Sequence, residues 1–497
     1  MAAMPRFARL ILPLATALLV GSASAGATML PPEVAAALQR AEVPEGALSV
    51  IVEEAGAARP LLAMNAAAPV NPASLAKLVT TFAALDRLGP AWRWQTPVWL
   101  LGPVRDGVLD GTLVIRGSGD PALVMERVWL LLRQVQQAGV REIRGDIVLD
   151  RSAFALPAGN PADFDNEPLR PYNVRPDALL LNFKSVSYGF VPDPGGGIAR
   201  VSVAPPLAGA KVDPSVPLTS GACGDWRAAL KPSFGDDGRV RFAGAYPVEC
   251  GERSWPVADT RPDTYNARLL EGLWREMGGR LVGRVRDGPA PTDRAPSFVV
   301  ESPALAEVVR DINKFSNNTM AQQLFLTLAL SDAGGGAAAG GIGSGGEPAT
   351  PERARAALQA WTEERLGAPV AAALSIDNGA GLSRSSRVSA QALARLLQTA
   401  WASPVMPELM ASLPVSGLDG TLRRARVTPG RAHLKTGSLR DVAGVAGYVL
   451  SDSGRRYVLV AIVNHPNAAA GRPAIEALVR WTMADAPGRR APGVSPP

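Results

Sequence analysis

The sequence predicts an α/β domain interrupted by a mostly β insertion of about 200 residues, and three observations carry that prediction. Leu75, Leu78, Val79 and Phe82 recur at helical spacing until Gly89-Pro90 ends the run. Short strand-like stretches with Pro/Gly turns then continue until helical patterning returns from Pro303 to Leu330. Near the end, Val445–Leu450, the turn Ser451-Asp-Ser-Gly454 and Tyr457–Val463 read as a hairpin. Its second arm is apolar on both faces, as a central, covered strand requires.

Taken in order, Pro32–Ala41 reads as a short helix, Ala47–Glu53 as a strand and Leu61–Asn65 as the strand that answers it. The helix containing Ser74 and Lys77 follows, opened by Pro72. In the insertion, Leu109–Arg116 and Glu142–Leu149 are expected strands, with a helix over Leu123–Gln137 that stops at Gly139. Residues 157–176, rich in Pro, Asn and Asp, predict an irregular loop. Residues 180–260 alternate short strands with turns, a helix is expected over 262–278 and a strand over 280–288. Residues 333–349 are a Gly/Ala-rich low-complexity loop, followed by helices at 351–365 and 389–400.

The first residues have the layout of a secretory signal: Arg6 and Arg9, an apolar run from Leu10 to Val20, and Ala23-Ser24-Ala25 as cleavage site. The run is about 11 residues, too short to span a membrane. Two cysteines, Cys223 and Cys250, in an exported chain predict one disulfide. With two histidines and two cysteines there is no zinc-ligand cluster. The net charge of +6 comes from scattered arginines without a basic run or aromatic interleaving, which argues against a nucleic-acid partner.

Three short motifs carry the chemistry. Ser74 and Lys77 are i and i+3 on a helix, about 60° apart, so a hydroxyl and an amine share a face. Ser316-Asn317-Asn318 precedes a helical run, and Lys435-Thr436-Gly437-Ser438 leads into the terminal strands. Singly these would be a serine at a helix start, two helix caps and a strand–turn junction. In this order they match the Ser-x-x-Lys, Ser-x-Asn, Lys-Thr-Gly set of serine acyl-transfer enzymes. A serine hydroxyl needs a base. Lys77 serves if burial and a second cation, Lys435, lower its pKa. Ser316 can relay a proton to the leaving amine, and Asn318 can hold Lys77 or a substrate amide. Lys435, Thr436 and Ser438 can receive a substrate carboxylate, and Gly437 is expected to let substrate backbone approach the strand. The backbone N–H groups of Ser74 and Ser438 would form the oxyanion hole. His433 and His465 have no Gly-x-Ser-x-Gly partner motif, and a structural role is expected for His433.

With these motifs the chain resembles the type-4, class C low-molecular-mass penicillin-binding proteins, exported D-alanyl-D-alanine carboxypeptidase/endopeptidases, over residues 30–480. The 242 residues between Ser74 and Ser316 (316 − 74) are far more than in class A β-lactamases. Arg116-Gly-Ser-Gly-Asp-Pro121, Gly145–Phe154, Asp377-Asn-Gly-Ala-Gly-Leu-Ser-Arg384 and Leu418-Asp-Gly-Thr-Leu422 extend the likeness. The resemblance implies a penicillin-binding DD-peptidase/β-lactamase-like catalytic domain, an antiparallel sheet flanked by helices, with β-rich inserted domains. It also implies that Arg384 and an acidic residue of the first insert, Glu167 with Asp165 as alternative, line a pocket for the stem peptide's diaminopimelate side chain.

The expected division is a signal peptide at 1–25, a catalytic domain of 26–95 plus 298–485, and a first insert of 96–180 plus 260–297. A second, β-rich insert at 181–259 and a disordered tail at 486–497 complete it. The expected activity is hydrolysis of D-Ala–D-Ala and D-Ala–diaminopimelate bonds in the periplasm through a Ser74 ester. Peptidoglycan stem peptides and β-lactams would be the ligands, with no metal or cofactor, no transmembrane anchor, and a homodimer compatible with these features. A serine β-lactamase or esterase on the same fold, and a non-catalytic peptidoglycan-binding scaffold, are the alternatives.

Overall fold

The computed structural model describes residues 29–57, 59–235, 237–331 and 347–485. The signal segment, the C-terminal tail and most of the Gly/Ala-rich stretch at 333–349 lie outside the described residues.

The chain's first and last strands share one five-stranded antiparallel sheet. Its order is Pro60–Met64, Leu48–Glu54, Arg456–Asn464, Val442–Leu450 and, at the edge, Ala432–Leu439. Arg456–Asn464 lies in the middle and is covered on both sides. Val458, Val460 and Ile462 face a layer of helices that includes Ala76–Leu88, Leu305–Phe315 and Asn318–Ser331. Tyr457, Leu459, Ala461 and Val463 alternate to the other face, against Pro32–Arg40 and Arg472–Ala484. The last of these helices is missing from the sequence reading, although Ile475, Leu478, Val479 and Thr482 are buried at helical spacing.

The insertion has a separate core containing Val98, Leu113, Ile147, Phe190, Tyr246 and Trp274. Three expected continuous strands are instead broken in the same way. Val108–Leu109, Glu142–Ile143 and Arg280–Leu281 lie in one sheet, whereas Thr112–Arg116, Ile147–Asp150 and Val285–Asp287 lie in another. The chain crosses between sheets at Gly111, Gly145 and Gly283. A side chain at Gly145 would collide with the Gly111 carbonyl, and one at Gly283 with the Gly145 carbonyl. Backbone stacks on backbone at this corner, which only glycine permits.

The strand Phe298–Glu301, placed in the catalytic domain by the expected division, pairs antiparallel with Gln95–Leu101 and so completes the insert's sheet. Residues 185–258 form a five-stranded sheet of their own and residues 211–242 a three-stranded one. Cys223 and Cys250 are bonded to each other at the margin of this module. The helical run 303–330 is two helices, broken at Ser316 by a left-handed residue (φ 56°). Among the described residues no helix is long and apolar enough to cross a membrane.

Candidate active site

Ser74 does not sit within the α-helix, as expected, but in a single 3-10 turn, Ala73–Leu75, that feeds the α-helix Ala76–Leu88. The turn is fixed from three sides. Asn71 and Asn464 exchange hydrogen bonds: the Asn71 N–H donates to Asn464 Oδ1 (2.8 Å) and Asn464 Nδ2 donates to the Asn71 carbonyl (3.1 Å). Asn71 Oδ1 also accepts from the Ala73 N–H at 2.9 Å. Gly381 (φ 77°) lies so close to the Ala73 carbonyl that a Cβ would overlap it.

Gly437 packs on the third side, where an added Cβ would lie 2.7 Å from the Pro72 carbonyl and 3.0 Å from Leu75 Cγ. Its missing side chain lets the edge strand lie against the serine turn.

Lys77 Nζ, on the first turn of the helix and fully buried, makes three contacts. They are Ser74 Oγ at 3.0 Å, Asn318 Oδ1 at 2.7 Å and the Ala380 carbonyl at 2.6 Å. Burial, and secondarily the charge of Lys435, push its pKa well below the usual lysine range. A neutral amine has two hydrogens and one lone pair. The carbonyl and the amide oxygen can only accept, so they take the two hydrogens at the two shorter distances. The lone pair is left facing the Ser74 hydroxyl, at the longest of the three.

Asn318 is held for this task from its other end, with Nδ2 donating to the Tyr172 carbonyl at 3.3 Å. The insert's loop therefore reaches the catalytic residues. Asn317 starts the helix by accepting the Met320 N–H at 3.0 Å. Ser316, left-handed between the two helices, aims Oγ at Lys435, whose Nζ donates to it at 2.8 Å and to the Thr436 carbonyl at 2.8 Å. Lys435 is also fully buried, and desolvation lowers its pKa to about 7. Thr436 and Thr421 hydroxyls are 2.8 Å apart, and Arg472 Nη2 donates to Ser438 Oγ at 3.3 Å. The three motifs, far apart in the sequence, thus meet through two lysines: Lys77 reaches Asn318 and Lys435 reaches Ser316. Ser74, Ser316, Thr436, Gly437 and Ser438 line one cavity of about 450 Å³.

The other predicted residues lie apart from this cluster. Arg384 pairs with Asp441 at 3.0 Å and its guanidinium lies 4.9 Å from the Phe164 ring centre. The insert's loop 164–172 therefore abuts Arg384. Glu167 turns to Arg170 at 3.3 Å, and Asp165 accepts from Tyr172 Oη (2.9 Å) and Asn173 Nδ2 (2.7 Å). His433 Nδ1 lies 3.3 Å from the Met410 carbonyl.

Sequence reasoning missed the Ala380 carbonyl and the Asn71–Asn464 pair. The signal for the first was present: Asn378 is an Asx-turn residue, accepting the N–H groups of Ala380 (3.1 Å) and Gly381 (3.2 Å) and turning the Ala380 carbonyl towards Lys77.

A D-alanyl-D-alanine carboxypeptidase of Actinomadura sp. (strain R39) is 26% identical, the match covering 90% of this chain and 83% of the relative. The crystal structure of penicillin binding protein 4 (dacB) from Haemophilus influenzae has the same fold, with a TM-score of 0.70 at 22% identity, over 92% of this chain and 99% of that one. The Bd3459 predatory endopeptidase from Bdellovibrio bacteriovorus, in complex with immunity protein Bd3460, is more distant. Its TM-score is 0.51 at 17% identity, over 88% and 92% of the two chains. Residues 30–485 match one family along their whole length, so the chain belongs to the D-Ala-D-Ala carboxypeptidase 3 (S13) family.

Proposed function

We propose that the protein is an exported serine DD-peptidase that cleaves the D-Ala–D-Ala bond of peptidoglycan stem peptides, and the D-Ala–diaminopimelate cross-link, through an ester on Ser74. The observation that carries this reading is the 3.0 Å contact between the fully buried Lys77 Nζ and Ser74 Oγ. Lys77 takes the hydroxyl proton as Ser74 Oγ attacks the carbonyl carbon. The oxyanion is received by the N–H groups of Ser74 and Ser438. Strand alternation supports Ser438: the Ala432 and Leu434 N–H groups donate away from the sheet, to Ser416 Oγ and the Pro414 carbonyl, so at the same alternation the Ser438 N–H faces the open edge.

Collapse breaks the C–N bond. Ser316 accepts a hydrogen bond from Lys435, so its own hydrogen is free to pass to the leaving nitrogen. The proton that Lys77 took from Ser74 passes on to restore Ser316, so Lys77 is neutral again for the next step. Water then attacks the ester, with Lys77 again as base, and releases the acid. The carboxylate of the leaving residue lies on the Thr436 and Ser438 hydroxyls. A β-lactam mimics the dipeptide, with a reactive amide carbonyl and a carboxylate in corresponding places, so it acylates Ser74 in place of the peptide. Arg384, with Asp165 or Glu167 from the adjoining loop, would receive the diaminopimelate side chain on the acyl side.

The Cys223–Cys250 disulfide fits an oxidising compartment, in keeping with a signal peptide at residues 1–25 and action in the periplasm. The test is release of D-alanine from an N-acyl peptide ending in D-Ala-D-Ala. Wild type releases it, and Ser74→Ala and Lys77→Ala do not. Release by Ser74→Ala at the wild-type rate would contradict the reading.

A further inference from the structure

The cavity that contains Ser74 continues past Thr436 and Ser438 as far as the helix Arg472–Ala484. Its volume of about 450 Å³ is typical of a small-ligand site. Successive side chains of a strand point to opposite faces, so Thr436 and Ser438 point away from Lys435 and Gly437. Ala432–Leu439 is an edge strand, and the groove turns around its free edge. Beyond it lies an apolar trough walled by Leu422, Ala425, Val427, Ile475 and Val479.

The trough is a built feature. Its roof is tied to the helix below at Arg426, whose N–H donates to Glu476 Oε1 (3.3 Å) and whose carbonyl accepts from Arg480 Nη1 (3.1 Å). At the mouth stands Arg472, exposed, donating to Ser438 Oγ at 3.3 Å.

We propose that this trough is the subsite for the residue released from the scissile bond. Arg472, with the Thr436 and Ser438 hydroxyls, receives that residue's α-carboxylate. The apolar walls receive an extended aliphatic side chain, so the enzyme prefers leaving residues with several methylenes over D-alanine. The assignment rests on Ser74 being the nucleophile, because the leaving residue lies on the far side of the scissile bond from the acyl group. A guanidinium paired with a carboxylate is a charge-assisted contact, worth about tenfold or more in turnover. Each buried methylene contributes several-fold.

The test compares kcat/KM for peptides with one acyl part and different leaving residues, D-alanine and D-norleucine, each as free acid and as amide. A thioester of the same acyl group, whose leaving group has no carboxylate, reports acylation of Ser74 alone. Wild type should favour D-norleucine, with three further methylenes, over D-alanine by about 50-fold and the acids over the amides by about tenfold. Arg472→Gln should lower the ratio of acid-peptide to thioester turnover about tenfold, and Ala425→Phe, which fills the trough from its roof, should erase the D-norleucine preference. Equal loss on peptide and thioester in Arg472→Gln would overturn the carboxylate assignment. No D-norleucine preference in wild type would overturn the trough. A wild type inert even towards the thioester would instead refute Ser74 as nucleophile, a distinguishable result.

Discussion

Asn318→Asp converts the partner of Lys77 into a carboxylate with little change of shape. Asn318 Oδ1 lies 2.7 Å from Lys77 Nζ in a fully buried site. Opposite unit charges at that separation attract by about 6 kcal/mol at an effective dielectric constant of about 20. That attraction favours the protonated amine and raises the Lys77 pKa. The amine, whose pKa burial holds well below the usual lysine range in wild type, would then keep its proton to higher pH and offer its lone pair to Ser74 less often. The assay is the second-order rate of acylation by a penicillin between pH 6 and 10. The variant should acylate about 1000-fold more slowly than wild type at pH 7 and gain up to about tenfold per pH unit above it. Acylation by Asn318→Asp within tenfold of wild type, with the same pH profile, would refute the neutral-amine mechanism.

Three other perturbations probe the frame around that amine. Gly437→Ala drives a methyl group against the Pro72 carbonyl and Leu75, and should cost about 1–3 kcal/mol in urea unfolding and slow acylation in parallel. Lys435 keeps a folded-state pKa of about 7 against about 10.4 when unfolded, so between those values the unfolded chain binds the extra proton. Stability should therefore rise by about 2 kcal/mol from pH 7 to pH 9 on this account, and Lys435→Met should flatten the rise in urea melts at the two pH values. Replacing Cys223 and Cys250 by serine opens a loop spanning 27 residues and should destabilise the module by about 3 kcal/mol while penicillin acylation persists, because that module has a separate core.

The chemistry was legible in the sequence because each motif is local and its residue types are dictated by what acyl transfer needs. Ser74 and Lys77 are brought together by a single helical turn, which spacing alone predicts. The terminal strand was legible because Tyr457–Val463 is apolar at every position, and both its faces are covered. What spacing could not supply were contacts made by backbone across hundreds of residues. The Ala380 carbonyl is announced only by the turn residue Asn378, which does not say what that carbonyl meets, and the corner at Gly111, Gly145 and Gly283 exists only once three strands stack. The left-handed Ser316 was equally hidden: apolar spacing runs through it, and only its place between two helices forces the turn. The closeness of Gly437 to the Pro72 carbonyl was hidden too, since a strand pattern does not say what crosses its face.

The central claim is that one alcohol, made reactive by a neutral amine, forms the covalent intermediate. Intact mass after incubation with a penicillin tests it most directly, with peptide mapping to locate the adduct. Wild type should gain the mass of one penicillin on Ser74 and retain it, while Ser74→Ala gains none. An adduct on Ser74→Ala, or none on wild type with the penicillin left intact, would contradict the account.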